Sequence, residues 1–373
     1  MPTLRHSNSV SNFNSELQHF KYKLPRLFLV FLRWAGFVEE SDRNCKSRLI
    51  WIFFYVLHLF PSAFIVAIFF MGRQAFEKKL ASITSLACNQ VIWYCLRYKR
   101  KSLTALLRKM QANHLPLYRL RVNLSIFVIL CMPIIRMIAQ IYIRSMFLWY
   151  HNLRAIIEYF VLEIIIANCI IFFADLMLPC LVALLYCSLC FRCSKFIDNL
   201  TEEIENISPQ QFGLCLQFDI LKRKSKVDDI LGDLENIFSK PSLFLIALNF
   251  VTCVYHLGTI LVVSWRYRLI VFEALFNSVV HFICVTAVFW SAGSVPVALN
   301  KLNRTFCEKA NSRLLLFRTS EGRKLKRELF EKPEFVLTGW DVIVYRRSSI
   351  LTFVGTLLTY SIITMDIKCK NQE

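Results

Sequence analysis

Residues Ser349–Ile367 read SILTFVGTLLTYSIITMDI, an almost uninterrupted apolar stretch whose single charge, Asp366, lies next to its end. About 20 such residues are enough for a helix to cross a bilayer. On a helix Thr352, Thr356, Thr359, Ile363 and Asp366 follow one another at intervals of four and three and share one face. Leu351, Val354, Leu358 and Ile362 lie to the other side. A threonine row in an apolar helix has two ordinary uses. It packs against a neighbouring helix or its own backbone, or it lines water. Several copies around an axis would stack rings of hydroxyls below a ring of Ile363, with Asp366 at the mouth. Hydrophobic rings close pores by dewetting, and acidic rings gather cations. The pore reading therefore assigns Ile363 as the gate and Asp366 as the cation-attracting ring.

Outward from this segment, the rest of the chain is built of the same material. Of 373 residues, 56% are hydrophobic and 19% charged, against about 45–50% and about 25% in soluble domains. Six further apolar stretches approach or meet the length of a span: Leu49–Met71, Leu80–Leu96, Leu124–Leu148, Ile156–Cys187, Leu243–Trp265 and Ile270–Leu299. The second is diluted by Ser82, Thr84, Ser85, Asn89 and Gln90. An earlier stretch, Leu24–Phe37, is too short to span and suits the interface. The expected fold is an all-α membrane protein of seven transmembrane helices.

The net charge of +19 would suggest nucleic acid on a soluble protein. Here its distribution argues for orientation, and no nucleic-acid partner is expected. With the amino terminus cytoplasmic, 35 Lys and Arg fall in inside segments and 8 in outside ones. That bias predicts an inside amino terminus and an outside carboxyl terminus. The compact segment 97–123 carries Arg97, Lys99, Arg100, Lys101, Arg108, Lys109, Arg119 and Arg121 and no acid. The sequons at Asn123, Asn199, Asn206 and Asn303 all fall at or inside the cytoplasmic segments.

The inside segments also carry apolar stripes at helical spacing. These are Phe196, Leu200, Ile204 and Ile207; Val227, Ile230, Leu231, Leu234 and Ile237; and Leu302, Phe306 and Ala310. They predict a helical layer beneath the membrane. The resulting division is a cytoplasmic segment 1–48, a six-helix peripheral bundle 49–299 with cytoplasmic helical extensions, a cytoplasmic anchor segment 300–348, and a pore helix with a short tail, 349–373. Fourteen scattered Cys make no disulfide framework. Cys187, Cys190 and Cys193 form a C-x-x-C-x-x-C run without a second ligand cluster. They read as thiols at a span end, suited to lipid attachment, and not as a metal site.

Seven spans with an inside amino terminus reverse the order of a G-protein-coupled receptor. The carboxyl-terminal span resembles that of the insect chemoreceptor superfamily, specifically the gustatory receptors. That family closes on Thr-Tyr, five mostly apolar residues and Gln-Phe. Here Thr359 and Tyr360 match, Ser361 to Met365 form the interval, and Asp366 and Ile367 stand in place of Gln-Phe. The resemblance implies a tastant-gated cation channel in the plasma membrane of sensory neurons. It implies a homotetramer, or a heterotetramer with other gustatory receptor subunits. The last helix would line the shared pore, and the ligand would enter the peripheral bundle from outside. No cofactor is implied.

Polar groups within spans cost several kcal/mol unless they pair or face a cavity. Glu273, Asn277 and His281 recur every four residues on the sixth span, close to Trp265, Phe272, Phe276 and Phe282. A polar stripe with aromatic neighbours suits a small polar ligand, and hydrogen bonding between helices is the plainer use. His256, Gln140 and Glu163 complete the candidate ligand set. Arg136 and Asp175 are expected at similar depth, as a structural ion pair. No internal repeat or matched broken helix favours a transporter, and no catalytic motif favours an enzyme. An odorant receptor of the same superfamily is the nearest alternative, and the Thr359–Tyr360 ending favours taste.

Overall fold

The computed structural model describes residues 26–38, 76–112, 124–129, 131, 138, 176–262, 268–317 and 335–370. Its helices are α1 (Arg26–Trp34), α2 (Phe76–Tyr98), α3 (Arg100–Ala112), α4 (Leu178–Asn206), α5 (Leu214–Val262), α6 (Arg268–Phe317) and α7 (Ser349–Lys370). Between α6 and α7 lies one antiparallel hairpin, β1 (Thr338–Gly339) and β2 (Ile343–Val344). The predicted spans Leu49–Met71 and most of Leu124–Leu148 and Ile156–Cys187 lie outside the described residues, as do Arg136, Asp175, Gln140 and Glu163.

The long helices explain the stripes in the inside segments. α5 has 49 residues and α6 has 50. At 1.5 Å per residue each is about 75 Å long, against a hydrocarbon core of about 30 Å. A helix of this length that crossed a bilayer would project over half of itself beyond lipid, where it would need partners other than acyl chains. It finds them in its neighbours. Leu200 and Ile204 of α4, Val227, Ile230, Leu231, Leu234 and Ile237 of α5, and Leu302, Phe306 and Ala310 of α6 are all buried in one core. Phe196 and Ile207 pack against it. The buried layer predicted from the stripes is thus made by the long helices themselves, continued without a break. Phe212, in the connection between α4 and α5, caps this core with its ring edge-on to Phe306, 5.2 Å between centroids.

Among the described residues three helices are long and apolar enough to cross a membrane: Leu178–Asn206, Leu214–Leu261 and Val271–Arg313; α7 adds a shorter apolar stretch, Ser349–Ile363. α2 packs along α5, and its polar residues explain its weaker pattern, since Ser85 and Asn89 are buried. α3 crosses α5 rather than following it. Lys99 meets Asn236 and, ten residues later, Lys109 meets Asp233, so ten residues pass within about one turn of α5. Leu103, Leu106, Leu107 and Met110 bury the inner face of α3.

Two expectations need correction. Cys190 and Cys193 are fully buried in the core, so the run is packing material there and not a surface for lipid attachment. The all-α expectation also misses the hairpin. Its turn holds Trp340 and Asp341 at φ 50 and 56, the left-handed region. The loop between the paired Gly339 and Ile343 is Trp340, Asp341 and Val342, and two successive left-handed residues usually fall on Asn-Gly or Asp-Gly, so the sequence gives no hairpin signal.

Candidate functional site

The hairpin sets the position of α7. β2 leads through Tyr345 straight into the helix. Tyr345 is fully buried, and its hydroxyl donates to Ser242 Oγ of α5 at 2.7 Å. Its ring packs against Tyr186 of α4 and Phe289 of α6, with centroids 6.3 and 5.8 Å away. Burial pushes its phenol well above the ordinary range. On the first strand Glu235 accepts hydrogen bonds from the Thr338 backbone N–H and hydroxyl. The Trp340 N–H reaches Ser239 Oγ at 2.8 Å. Two glycines make room at this joint, one for the Tyr345 side chain and one for the backbone ahead of α7. A Cβ at Gly339 would stand 2.2 Å from the Tyr345 hydroxyl, and one at Gly293 of α6 would stand 2.9 Å from the Arg347 nitrogen. One tyrosine therefore ties α4, α5 and α6 to the foot of α7.

From that foot α7 rises with one narrow row against its own protomer. Phe353, Leu357 and Ser361 are buried. Phe353 packs with Phe250, Phe282 and Phe289, and Tyr360 meets Phe250 edge-on at 5.9 Å. The row predicted to line water points away from this seam. Thr352, Thr359, Ile363 and Asp366 are exposed, and Thr356 is half-buried. Thr356 and Thr359 each donate the hydroxyl to the helix itself, to Thr352 O at 2.8 Å and Gly355 O at 2.9 Å. Their protons are thereby occupied, and the oxygen lone pairs remain to face outward. These two hydroxyls therefore present acceptors to the outer side of the helix.

The flank of α7 is equally telling. Leu351, Leu358 and Ile362 are 77, 57 and 60% exposed in the single chain. The sequence reading set them opposite the threonine row. The structure places these three and the threonine row away from the rest of the chain, whereas Val354, read on the same flank, is half-buried.

In the second candidate region α5 and α6 bring together part of the predicted polar stripe. Asn249 Nδ2 donates to Leu245 O at 2.6 Å, which leaves its Oδ1 as an acceptor. His281 Nδ1 stands 2.7 Å from that oxygen. The histidine is therefore the donor at Nδ1. Asn277, one turn away on α6, is 1% exposed, and among the described residues neither its Nδ2 nor its Oδ1 has a hydrogen-bond partner. Glu273 is half-buried, one turn further along. His256 of α5 lies edge-on to Tyr255, with ring centroids 5.3 Å apart. Beside this stripe Phe276 packs on a small cluster of Leu176, Cys180 and Val280. Phe272, expected nearby, is 59% exposed. The plain use, bonding between helices, accounts for His281 but not for Asn277. Among the described residues no group of three or more His, Cys, Asp or Glu side chains could hold a metal ion.

No family model and no curated protein matches the chain. Its fold, however, matches solved structures of the insect olfactory receptor OR5 from Machilis hrabei. One, in complex with eugenol, gives a TM-score of 0.65 at 11% identity and covers 96% of this chain and 99% of that one. The other gives 0.67 at 13% identity with the same coverage. At such low identity the likeness shows the fold. It agrees with the insect chemoreceptor architecture expected from Thr359 and Tyr360; the choice of taste over smell rests on sequence alone.

Proposed function

We propose that the chain is one subunit of a tetrameric, ligand-gated, non-selective cation channel of the gustatory type. A small-molecule tastant binds in the outer half of the helical bundle, and α7 lines the pore. Seven helices cross the plasma membrane of a sensory neuron, the amino terminus inside and the carboxyl terminus outside. Residues 49–299 form the peripheral bundle, 300–348 the anchor, and 349–373 the pore element. The role is non-enzymatic.

The observation that carries this reading is the double exposure of α7. Its hydroxyl row and its apolar flank both face away from the protomer, and one environment cannot suit both. Four copies around an axis satisfy each. The flanks Leu351, Leu358 and Ile362 cover one another or meet lipid, and Thr352, Thr356, Thr359, Ile363 and Asp366 turn to a central water column. The olfactory reading is the second candidate, favoured by the fold likeness to the structure with eugenol. A ligand panel of sugars, bitter compounds, amino acids and volatile aromatics separates the two.

Current recording tests the pore. Asp366→Asn is expected to lower unitary cation current or block by divalent ions while surface expression stays normal. Cysteines placed at Thr352, Thr356 and Thr359 are expected to react with aqueous thiol reagents in open channels, whereas cysteines at Phe353 and Leu357 stay unreactive. Equal reactivity on both faces would remove α7 from the pore.

A further inference from the structure

Three chain-distant segments bring cations to one level. Lys99, at the junction of α2 and α3, lies against α5 and donates to Asn236 Oδ1 at 2.7 Å. Lys240 follows one turn along α5, and its Nζ stands 5.0 Å from the centre of the Trp340 ring at the hairpin tip. Arg346 leaves the hairpin toward α7 and is exposed, as are Arg100 and Lys101. Several cations elsewhere in the layer are paired: Arg223 grips Glu203 at 2.7 Å, Lys109 meets Asp233 at 2.9 Å and Lys301 meets Glu205 at 3.2 Å. Among the described residues Lys99, Arg100, Lys101, Lys240 and Arg346 make no ion pair. The nearby acids are engaged with Thr338, Glu235 through both its N–H and hydroxyl and Asp341 at 3.1 Å. Burial, and next the charge of Lys240, lower the Lys99 ammonium below its ordinary range.

The level itself is informative. Lys99 lies three residues beyond Leu96, Lys240 three before Leu243 and Arg346 three before Ser349, each on the cytoplasmic side of a predicted span end. For Lys240 on α5 three residues of helix are about 4.5 Å, which is headgroup depth. Trp340 is 49% exposed there, with its backbone in the left-handed region. An indole at this depth is a usual interfacial anchor. The anion that fits must carry several charges at once and must come from the membrane side.

We propose that Lys99, Arg100, Lys240 and Arg346, with the Trp340 indole, seat the headgroup of a multiply phosphorylated lipid of the inner leaflet. Phosphate oxygens accept charge-assisted hydrogen bonds from several cations together, which a singly charged headgroup cannot do. Bound there, the lipid bridges α2, α5 and the hairpin, and the hairpin runs directly into α7. The inference rests on the membrane orientation proposed above, although its binding test requires no channel activity.

The test uses the full chain in detergent and native mass spectrometry, with phosphatidylinositol bisphosphate against phosphatidylserine. The wild type is expected to retain the bisphosphate preferentially. Each neutralised cation lowers its affinity about fivefold, so Lys240→Gln costs about fivefold and Lys99→Gln with Lys240→Gln about twenty-five-fold. Lys240→Arg keeps binding near wild type, so the comparison with Lys240→Gln decides even where the double variant fails to fold. Equal retention of phosphatidylserine, or unchanged binding in Lys240→Gln, overturns the proposal. Soluble inositol trisphosphate binding as tightly as the lipid overturns the membrane source. Orientation is checked separately on the exposed Cys215, which an impermeant maleimide should label only in permeabilised cells.

Discussion

Tyr345→Ala is expected to lower the stability of the protein by about 3–5 kcal/mol, the usual cost of emptying a large buried aromatic site. The cause is its position rather than its size alone. The side chain is fully buried, touches rings on α4 and α6, and donates to a serine on α5. Its removal opens a cavity where three helices and the hairpin meet. Ser242 then keeps its own bond to Phe238 O at 2.6 Å but receives none. Tyr345→Phe retains the packing and loses one hydrogen bond, a cost of about 1 kcal/mol. Gly339→Ala attacks the same joint from the other side, because its Cβ would stand 2.2 Å from the hydroxyl. Its damage should shrink in the Tyr345→Phe background, where that oxygen is gone. Monodisperse protein remaining after heating in detergent measures all four. Additive effects of Gly339→Ala and Tyr345→Phe would deny that the two residues share one contact.

How far the joint was legible shows what a sequence displays and what it conceals. The stripe Val227, Ile230, Leu231, Leu234 and Ile237 announces a buried helix face because burial repeats at the period of the helix itself. Every member is buried. The threonine row of α7 is visible for the same reason. The hairpin leaves no such trace. Each strand has two residues, too few for an alternation to show, and its turn uses Trp340 where the backbone conformation favours glycine. Tertiary contacts hold it instead: Ser239, Glu235 and Ser242 all bond it from α5, about a hundred residues away in sequence. The buried row of α7 was concealed by a different rule. In a membrane segment apolar residues cover every face, so hydrophobicity cannot tell Phe353 and Leu357, which are buried, from Leu351 and Ile362, which are not. Only packing distinguishes them. In the polar stripe, spacing placed Asn277 and His281 on one face, but nothing in it assigned Asn249 as the partner of one and left the other alone.

That difference between neighbours makes Asn277 the sharper probe of the ligand site. A buried amide with neither atom bonded costs about 1–3 kcal/mol, and Asn277 is in that condition. Asn277→Leu keeps a similar volume and removes the penalty, so it is expected to stabilise the free protein by about that amount. His281→Leu should do the reverse, since it strips Asn249 Oδ1 of its donor and leaves that oxygen buried. If the stripe meets a polar tastant, both substitutions weaken the response, and the dose for half-maximal current rises about tenfold or more for Asn277→Leu. A residue kept only for packing would not give a variant that is at once more stable and less responsive. Thermal unfolding in detergent supplies the first quantity, and a dose–response series with the most active ligand of the panel supplies the second. Should Asn277→Leu raise stability and leave the dose–response curve unmoved, the amide serves no ligand, and the site belongs elsewhere in the bundle.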